Sequence, residues 1–251
     1  MTQLYFGHLS AQTGVAHAIT TRHGGLSEPP FDTLNLAYHV GDSDVAVRAN
    51  RLLAAKALGV DAKGLVFMNQ VHGNEVVCIS APPEAPLACD ALITDTPGLT
   101  LGIMVADCVP LIFYDPQNRA IGVAHAGWKG TLLQIAAQTV HQMAQAFKSR
   151  PEKLLVGIGP CIGGDCYEVD EKVADPWQRE LPEAFYPALK KHGKDRWRLD
   201  LQRANRLMLQ ETGVPDRQIE TMALCTHCEP SLYSYRRDQK TGRFAGLISL
   251  R

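Results

Sequence analysis

Residues 101–131, LGIMVADCVPLIFYDPQNRAIGVAHAGWKGT, constrain the fold more than any other stretch. Two apolar runs, VPLIFYD and AIGVAH, are separated by Pro116, Gln117 and Asn118, and a helix-forming segment follows at once. Runs rich in Val, Ile, Phe and Tyr, bounded by Pro and Asn, signal a strand–turn–strand unit. A turn centred between Pro116 and Gln117 predicts Asp115 opposite Asn118 and Cys108 opposite His125. Directly opposed residues of an antiparallel pair share a face, with Cβ atoms about 4.5–5.5 Å apart. A thiolate and an imidazole so placed can grip one metal ion or act as nucleophile and base. His72, in NQVHGNEVV, offers a third donor, with VFMNQV and EVVCI read as strands around a His-Gly turn. Three protein ligands with a fourth position open are the pattern of a catalytic zinc. The spacing alone equally suits three isolated core residues.

Composition removes several function classes. The 251 residues are 45% hydrophobic and 20% charged, an ordinary globular balance. A net charge of −1 gives no electrostatic case for nucleic acid or an acidic membrane surface. MTQLYFGHLSAQTG lacks the basic and apolar regions of a secretory signal, and Asp107 interrupts the longest apolar stretch, so no bilayer span is expected. Seven cysteines, an odd number, point to reduced thiols in the cytoplasm rather than a disulfide framework.

Taken in order, VAHAITT reads as a strand that closes on His23-Gly24-Gly25, and His17, His23 and His39 as surface or satisfied core histidines. Asp42-Ser43-Asp44 offers caps for a helix, VAVRANRLLAAKAL, that Gly59 stops. Arg48 on this helix is a candidate anion ligand, because its donor fork matches phosphate oxygens; a solvated charge is the alternative. SAPPEAPLAC is a loop into the strand DALIT, with Cys78 and Cys89 read as small buried hydrophobes. After His125, Leu133, Ala136, Val140, Met143 and Phe147 share one helical face, and Thr131 with Gln134 has capping-box spacing. Free N–H groups of Gly127 to Thr131, with Lys129 adding charge, are a second candidate anion site; a plain strand-to-helix turn over Trp128 is the alternative. KLLVGIG is a buried strand opening on the Gly-rich GPCIGGDCYEV, and residues 170–198, broken by Pro176, Pro182 and Pro187, read as a surface excursion. Asp200 caps LQRANRLMLQET, QIETMAL is a strand, and CTHCEPSLYSYRRDQKTGRFAGLISL reads as a second strand–turn–strand unit. Cys225 and Cys228 form a CxxC that can join Cys161 and Cys166 in a four-cysteine zinc site, with lone buried thiols as the default. Arg236-Arg237 is read as holding the C-terminal unit by salt bridges. No linker splits the chain, so residues 1–251 are read as one domain, and hairpins mixed with single helices favour α/β (α+β) mixed sheets over a doubly wound sheet.

NQVHG, DALIT, ADCVPLIFYD, AHAGWKGT, GPCIGGDCYEV and LYSYRRDQKTGR, with TRHGGLS and LNLAYHVGD near the start, together resemble the YfiH/PgeF family, also called the laccase-domain family. The resemblance runs through nearly the whole chain. It implies mixed β-sheets sandwiched by outer helices, and zinc bound by His72, Cys108 and His125. It further implies phosphorolysis of the purine nucleosides adenosine, inosine and methylthioadenosine with phosphate, adenosine deamination beside it, and a link to peptidoglycan editing. Asp107 and Glu229 enter as candidate acids for the leaving purine without a geometric argument. Three other functions compete. A Cys–His hydrolase would use Cys108 as nucleophile and His125 as base, and suits a muropeptide precursor. A copper polyphenol oxidase is suggested by the family's older name, but the sequence has no His-x-His pair. A metal-stabilised binding module would enclose the ion with Cys225 or Cys228.

Overall fold

The computed structural model describes residues 2–251, with strands and helices numbered along the chain. One sheet is five-stranded, in the order β1 (Gln3–Leu4), β2 (Val15–Thr20), β14 (Phe244–Leu250), β6 (Thr100–Val105), β3 (Leu65–Phe67). The other is six-stranded, in the order β13 (Ile219–Thr221), β9 (Leu155–Ile158), β7 (Val109–Asp115), β8 (Ala120–Ala126), β5 (Ala91–Thr94), β4 (Val76–Cys78). Both are mixed: β3 and β6 run parallel while β6 and β14 run antiparallel, and β4 and β5 run parallel while β5 and β8 run antiparallel.

The strands of the two sheets face each other, and this explains their unbroken apolar runs. Successive strand side chains point to opposite faces, so a strand covered on both sides reads as continuously hydrophobic. On β7, Ile112 and Tyr114 pack between the sheets with Ile121 and Val123 of β8, Leu101 and Ile103 of β6, and Ile248 of β14. Leu111 and Phe113 point the other way, into a core shared with helices α4 (Ile135–Phe147), α5 (Glu171–Glu180) and α6 (Leu201–Glu211). Phe113 is fully buried there, which contributes about 1.5–3 kcal/mol. The outer face of the five-stranded sheet is covered by α2 (Asp44–Leu58), through Ala54 and Leu58 against Ala16, Ala18 and Leu247. Gly59 ends α2 in the left-handed region at φ 77°. The result is helix, sheet, sheet, helix, the mixed-sheet sandwich expected from the sequence. Among the described residues no helix is long and apolar enough to cross a membrane.

Six local expectations are corrected. The β7–β8 register pairs Asp115 with Ala120 and Pro110 with His125, so His125 does not face Cys108. The cause is a longer turn: Asp115 accepts from the amides of Gln117 and Asn118 and from Asn118 Nδ2, and Arg119 takes φ 52°. Because the slip is two residues, Cys108 keeps its face. VFMNQV and EVVCI do not form a hairpin, since β3 and β4 belong to different sheets. The helix after His125 is broken into α3 (Trp128–Leu132) and α4 by Gln134 at φ 59°, and no capping box forms. Residues 170–198 are no surface excursion: Trp177 of α5 and Phe185 are buried in the helix-side core, beside a three-stranded sheet, β10 (Glu168–Val169), β12 (Trp197–Leu199) and β11 (Leu189–Lys191). The C-terminal segment gives only β14, preceded by the short helix α7 (Tyr235–Asp238); α1 (Gly7–Ser10) completes the set. Cys78, read as buried, is exposed, whereas Cys89 is buried.

Candidate metal and substrate site

His72, Cys108 and His125 meet at the junction of the two sheets. Their donor atoms all lie within 4.8 Å of one another, and the two imidazole rings stand edge-on with centroids 4.7 Å apart. Each side chain reaches this point by a different route. Cys108 sits in the three residues that carry the chain from β6 in one sheet to β7 in the other. Asp107 in this crossing holds φ 95°, and its carboxylate accepts from Thr226 Oγ1 at 2.6 Å, Ser234 Oγ at 2.7 Å and the Arg236 amide at 2.6 Å. His125 is on β8, one residue from its end, and is 3% exposed. His72 is in the loop after β3 at φ 60°, and Gln70 fastens that loop to β6 by exchanging two hydrogen bonds with the Met104 backbone.

The residue that organises the site is Asp90, which the sequence reading passed over. Its fully buried carboxylate accepts from the amides of Val71 at 3.2 Å, His72 at 3.0 Å and Gly73 at 2.6 Å, and from His125 Nδ1 at 2.8 Å. A carboxylate only accepts, so Nδ1 carries the proton and Nε2 is left for Cys108 or a cation. The signal available in the sequence was an aspartate at the mouth of the strand DALIT, with no spacing to tie it to either histidine. Gly127 was also missed. A Cβ there would stand 2.9 Å from Cys108 Sγ and 3.3 Å from His72 Cδ2, so the donors close up only over a glycine.

The electrostatics agree with the geometry. Burial alone would raise the Cys108 thiol, but His125 and His72 outweigh it and bring the pKa down to about 6. Burial alone would lower His125, but the Cys108 sulfur and the Asp90 carboxylate carry it up to about 9. The metal-free pair is therefore a thiolate beside an imidazolium at neutral pH. Two imidazole nitrogens and one thiolate are a donor set that suits zinc and also copper.

The three donors lie on the wall of a cavity of about 510 Å³ that is also lined by Tyr167, Trp128, Tyr235, Met104, Arg236, Arg243 and His39. Small-molecule sites are clefts of about this size, mostly apolar with a few placed polar groups. Arg236 lies over the Tyr167 ring at 5.0 Å and donates to the Glu168 carbonyl; Arg243 donates to the carbonyls of Thr241 and Gly242. Burial holds Arg243 below the usual arginine range, and burial, Arg243 and Arg51 hold His39 below that of a free histidine.

Neither predicted anion ligand reaches this cavity. Arg48 is exposed on α2, and Lys129 is exposed with Nζ 5.5 Å from the Trp128 ring centre; neither lines the cavity. Its cations come instead from Arg236 and Arg243. Arg237 does hold the C-terminal loop, chiefly by donating to the carbonyls of Thr226, His227, Glu229 and Leu232 and only then through Asp238. Asp107 faces the cavity with its carboxylate engaged by three donors, and Glu229 does not line it. His17 is a satisfied core histidine whose Nε2 accepts from the Phe6 amide.

The family model described as multi-copper polyphenol oxidoreductase laccase matches residues 16–251. The chain belongs to this laccase family. It is 40% identical over 248 residues to the protein named purine nucleoside phosphorylase YlmD of Bacillus subtilis, covering 94% of this chain and 89% of that one. It is 43% identical over 237 residues to a Deinococcus radiodurans protein named purine nucleoside phosphorylase, with the same two coverages of 94% and 89%. Among solved structures, the hypothetical protein YfiH of Bacillus licheniformis superposes with a TM-score of 0.91 at 40% identity, over 94% of this chain and 93% of that one. Neisseria meningitidis protein NMB0706 superposes with a TM-score of 0.88 at 33% identity, over 99% of this chain and 98% of that one.

Proposed function

We propose that this member of the laccase family is a zinc-dependent purine nucleoside phosphorylase acting on adenosine, inosine and methylthioadenosine. The observation that carries the reading is that one cavity unites the N₂S donor set, two arginines and three aromatic side chains. The names of the Bacillus subtilis and Deinococcus radiodurans relatives point the same way.

In phosphorolysis a phosphate oxygen bonds to C1′ of the ribose. The C1′–N9 bond breaks, its electron pair leaves with the purine, and the purine takes up a proton. Arg243 and Arg236 would hold the phosphate dianion, since guanidinium forks match its oxygens. Tyr167, Trp128 and Tyr235 would wall in the base and keep water from C1′. His72, Cys108 and His125 would hold the zinc, with Asp90 fixing the tautomer of His125. When bound, zinc supplies Lewis acidity that polarises a substrate oxygen and lowers the pKa of a coordinated water, the chemistry that adenosine deamination needs. We include deamination as a side activity on that ground, and place the chain in the cytoplasm on its odd cysteine count.

The test is a product assay with inosine and phosphate. Ribose 1-phosphate formed by zinc-loaded protein and abolished in C108A is the expected result. No product from protein shown to hold one zinc would sink the proposal. Activity that survives complete chelation would favour the Cys108–His125 hydrolase. An intense blue copper absorption with oxidation of a phenol would favour the oxidase.

A further inference from the structure

Three of the six cysteines outside the first donor set also converge. The sulfurs of Cys166, Cys225 and Cys228 all lie within 4.8 Å of one another, and those of Cys166 and Cys228 are 3.4 Å apart. They come from two segments far apart in sequence, the glycine-rich loop after β9 and the loop after β13. From this convergence we propose a second metal site, a three-thiolate pocket for zinc or another soft d¹⁰ cation, separate from the His72–Cys108–His125 set.

The local backbone is built to aim these sulfurs. In Cys225-Thr226-His227-Cys228 the amides of Cys228 and Glu229 both donate to the Cys225 carbonyl, at 3.1 and 2.8 Å. That closes a tight turn and brings the two sulfurs of the CxxC to one side. Arg237 supports the turn from below through the carbonyls of Thr226, His227 and Glu229. From the other segment, the Gly163 amide donates to Cys225 Sγ at 3.1 Å, and the Cys166 amide donates to the Gly163 carbonyl at 2.9 Å. A backbone N–H directed at sulfur stabilises a thiolate, the form that binds metal. The segments are further joined where the Thr226 amide donates to the Cys161 carbonyl at 2.9 Å.

The count and spacing favour a cation over a disulfide. A zinc–sulfur bond of about 2.3 Å in a tetrahedron puts neighbouring sulfurs about 3.8 Å apart. The Cys166–Cys228 spacing of 3.4 Å is near that and the other two pairs lie within 4.8 Å, and a cation uses all three thiols where a disulfide leaves one idle. Cys161, the fourth member expected from the sequence, is not part of the set: it is buried and donates to the Ile162 carbonyl at 3.2 Å. Cys228 is exposed, so the fourth corner of the tetrahedron opens to water or a further ligand. Loading exchanges three thiol protons, released to solvent, for three sulfur–metal bonds, with no change of oxidation state.

Such a site would brace the wall of the main cavity. Tyr167, beside Cys166, and Ile162 in the same loop line that cavity, and Thr226, beside Cys225, holds the Asp107 carboxylate. The proposal stands independently of the phosphorylase reading.

The test uses the whole chain, stripped by a chelator under reducing conditions, reloaded with a small excess of Zn²⁺, desalted and measured for zinc per chain. Parallel Co²⁺ loading reads thiolate-to-metal absorption in the near ultraviolet. Two equivalents in the parent, one in C166S/C228S and one in C108S are expected, with most of the near-ultraviolet band lost in C166S/C228S. Zn²⁺ should also raise the melting temperature of C108S, which retains only this site. The proposal is overturned if the parent binds one equivalent that C166S/C228S keeps and C108S loses. It is equally overturned if the reduced parent oxidises to a Cys166–Cys228 disulfide, about two daltons lighter, and takes up no second equivalent. One equivalent kept by C108S and lost by C166S/C228S would support this site and sink the first.

Discussion

Replacing Asp90 by alanine tests whether one buried carboxylate builds the first donor set. The side chain is fully buried and receives four hydrogen bonds, three from the loop that carries His72 and one from His125. Removing one partner from a buried charged pair costs about 3–5 kcal/mol, because the other is left without compensation. The three amides are partly exposed and recover some loss from water, so the four bonds do not add up beyond that range. For a chain of this length each kcal/mol is worth about 2–4 °C, so D90A should melt about 6–20 °C below the parent. Zinc affinity should fall about 10–100-fold, the usual cost of losing a partner that orients a ligand imidazole. D90N separates the two effects: it keeps the volume, but its amide group turns donors toward donors. It should lose nearly as much zinc affinity as D90A while melting closer to the parent. Thermal unfolding of the metal-free proteins and competition against a chromophoric chelator give the two readouts. Parental zinc affinity in both variants would refute the claim that Asp90 positions His72 and His125.

Three further outcomes follow from the same geometry. G127A puts a methyl 2.9 Å from Cys108 Sγ at an ordinary φ of −73°, so its effect is steric. It should cost about 1–3 kcal/mol in urea unfolding and lower zinc affinity at least about tenfold; an unchanged affinity would show that the donors do not close up there. R243M should raise the KM for phosphate by about 10–150-fold, the worth of about 1.5–3 kcal/mol for a charge-assisted contact, while R48A stays within about twofold; the reverse order in initial-rate measurements would return the anion site to α2. Metal uptake should depend on pH with a defined sign. Between about pH 6 and 9 the free site holds a Cys108 thiolate and a His125 imidazolium, so binding displaces one proton from His125. Apparent zinc affinity should therefore rise about tenfold per pH unit across that window, flatten above it, and fall more steeply below it, where the thiol must also ionise. A flat profile from pH 6 to 9 in chelator competition would contradict the pairing.

What the sequence disclosed, and what it hid, divides along the range of the interactions. The strands of 101–131 were legible because both of their faces are buried, which forces an uninterrupted apolar run. The three donors were legible as residue types, and the family resemblance joined them. Their alignment was wrong by two residues because the Asp115 cap that lengthens the turn is a local hydrogen-bond pattern, invisible to hydrophobic periodicity. Strand partners of NQVHG were hidden for a different reason: β3 and β4 are close in the chain but pair in separate sheets, which no neighbour rule predicts. Asp90 and the cavity arginines act across gaps of 17 to 35 residues and more, where one sequence carries no pairing signal. Arg48 drew attention because it lies on a well-marked helix. Arg243 lies just before β14, in a segment read only as a strand–turn–strand unit, and nothing in its spacing marked it as a ligand.

The order of strands in the five-stranded sheet carries a consequence for biosynthesis. β14, which follows every other described strand in sequence, lies between β2 and β6 rather than at an edge. The partners of the Asp107 carboxylate, Thr226, Ser234 and Arg236, also emerge late. A nascent chain therefore displays both histidines and Cys108 on the ribosome long before the scaffold that gathers them exists. The donor set can gather only after β14 has emerged and paired, so a polypeptide cut short before that strand would leave the three side chains apart.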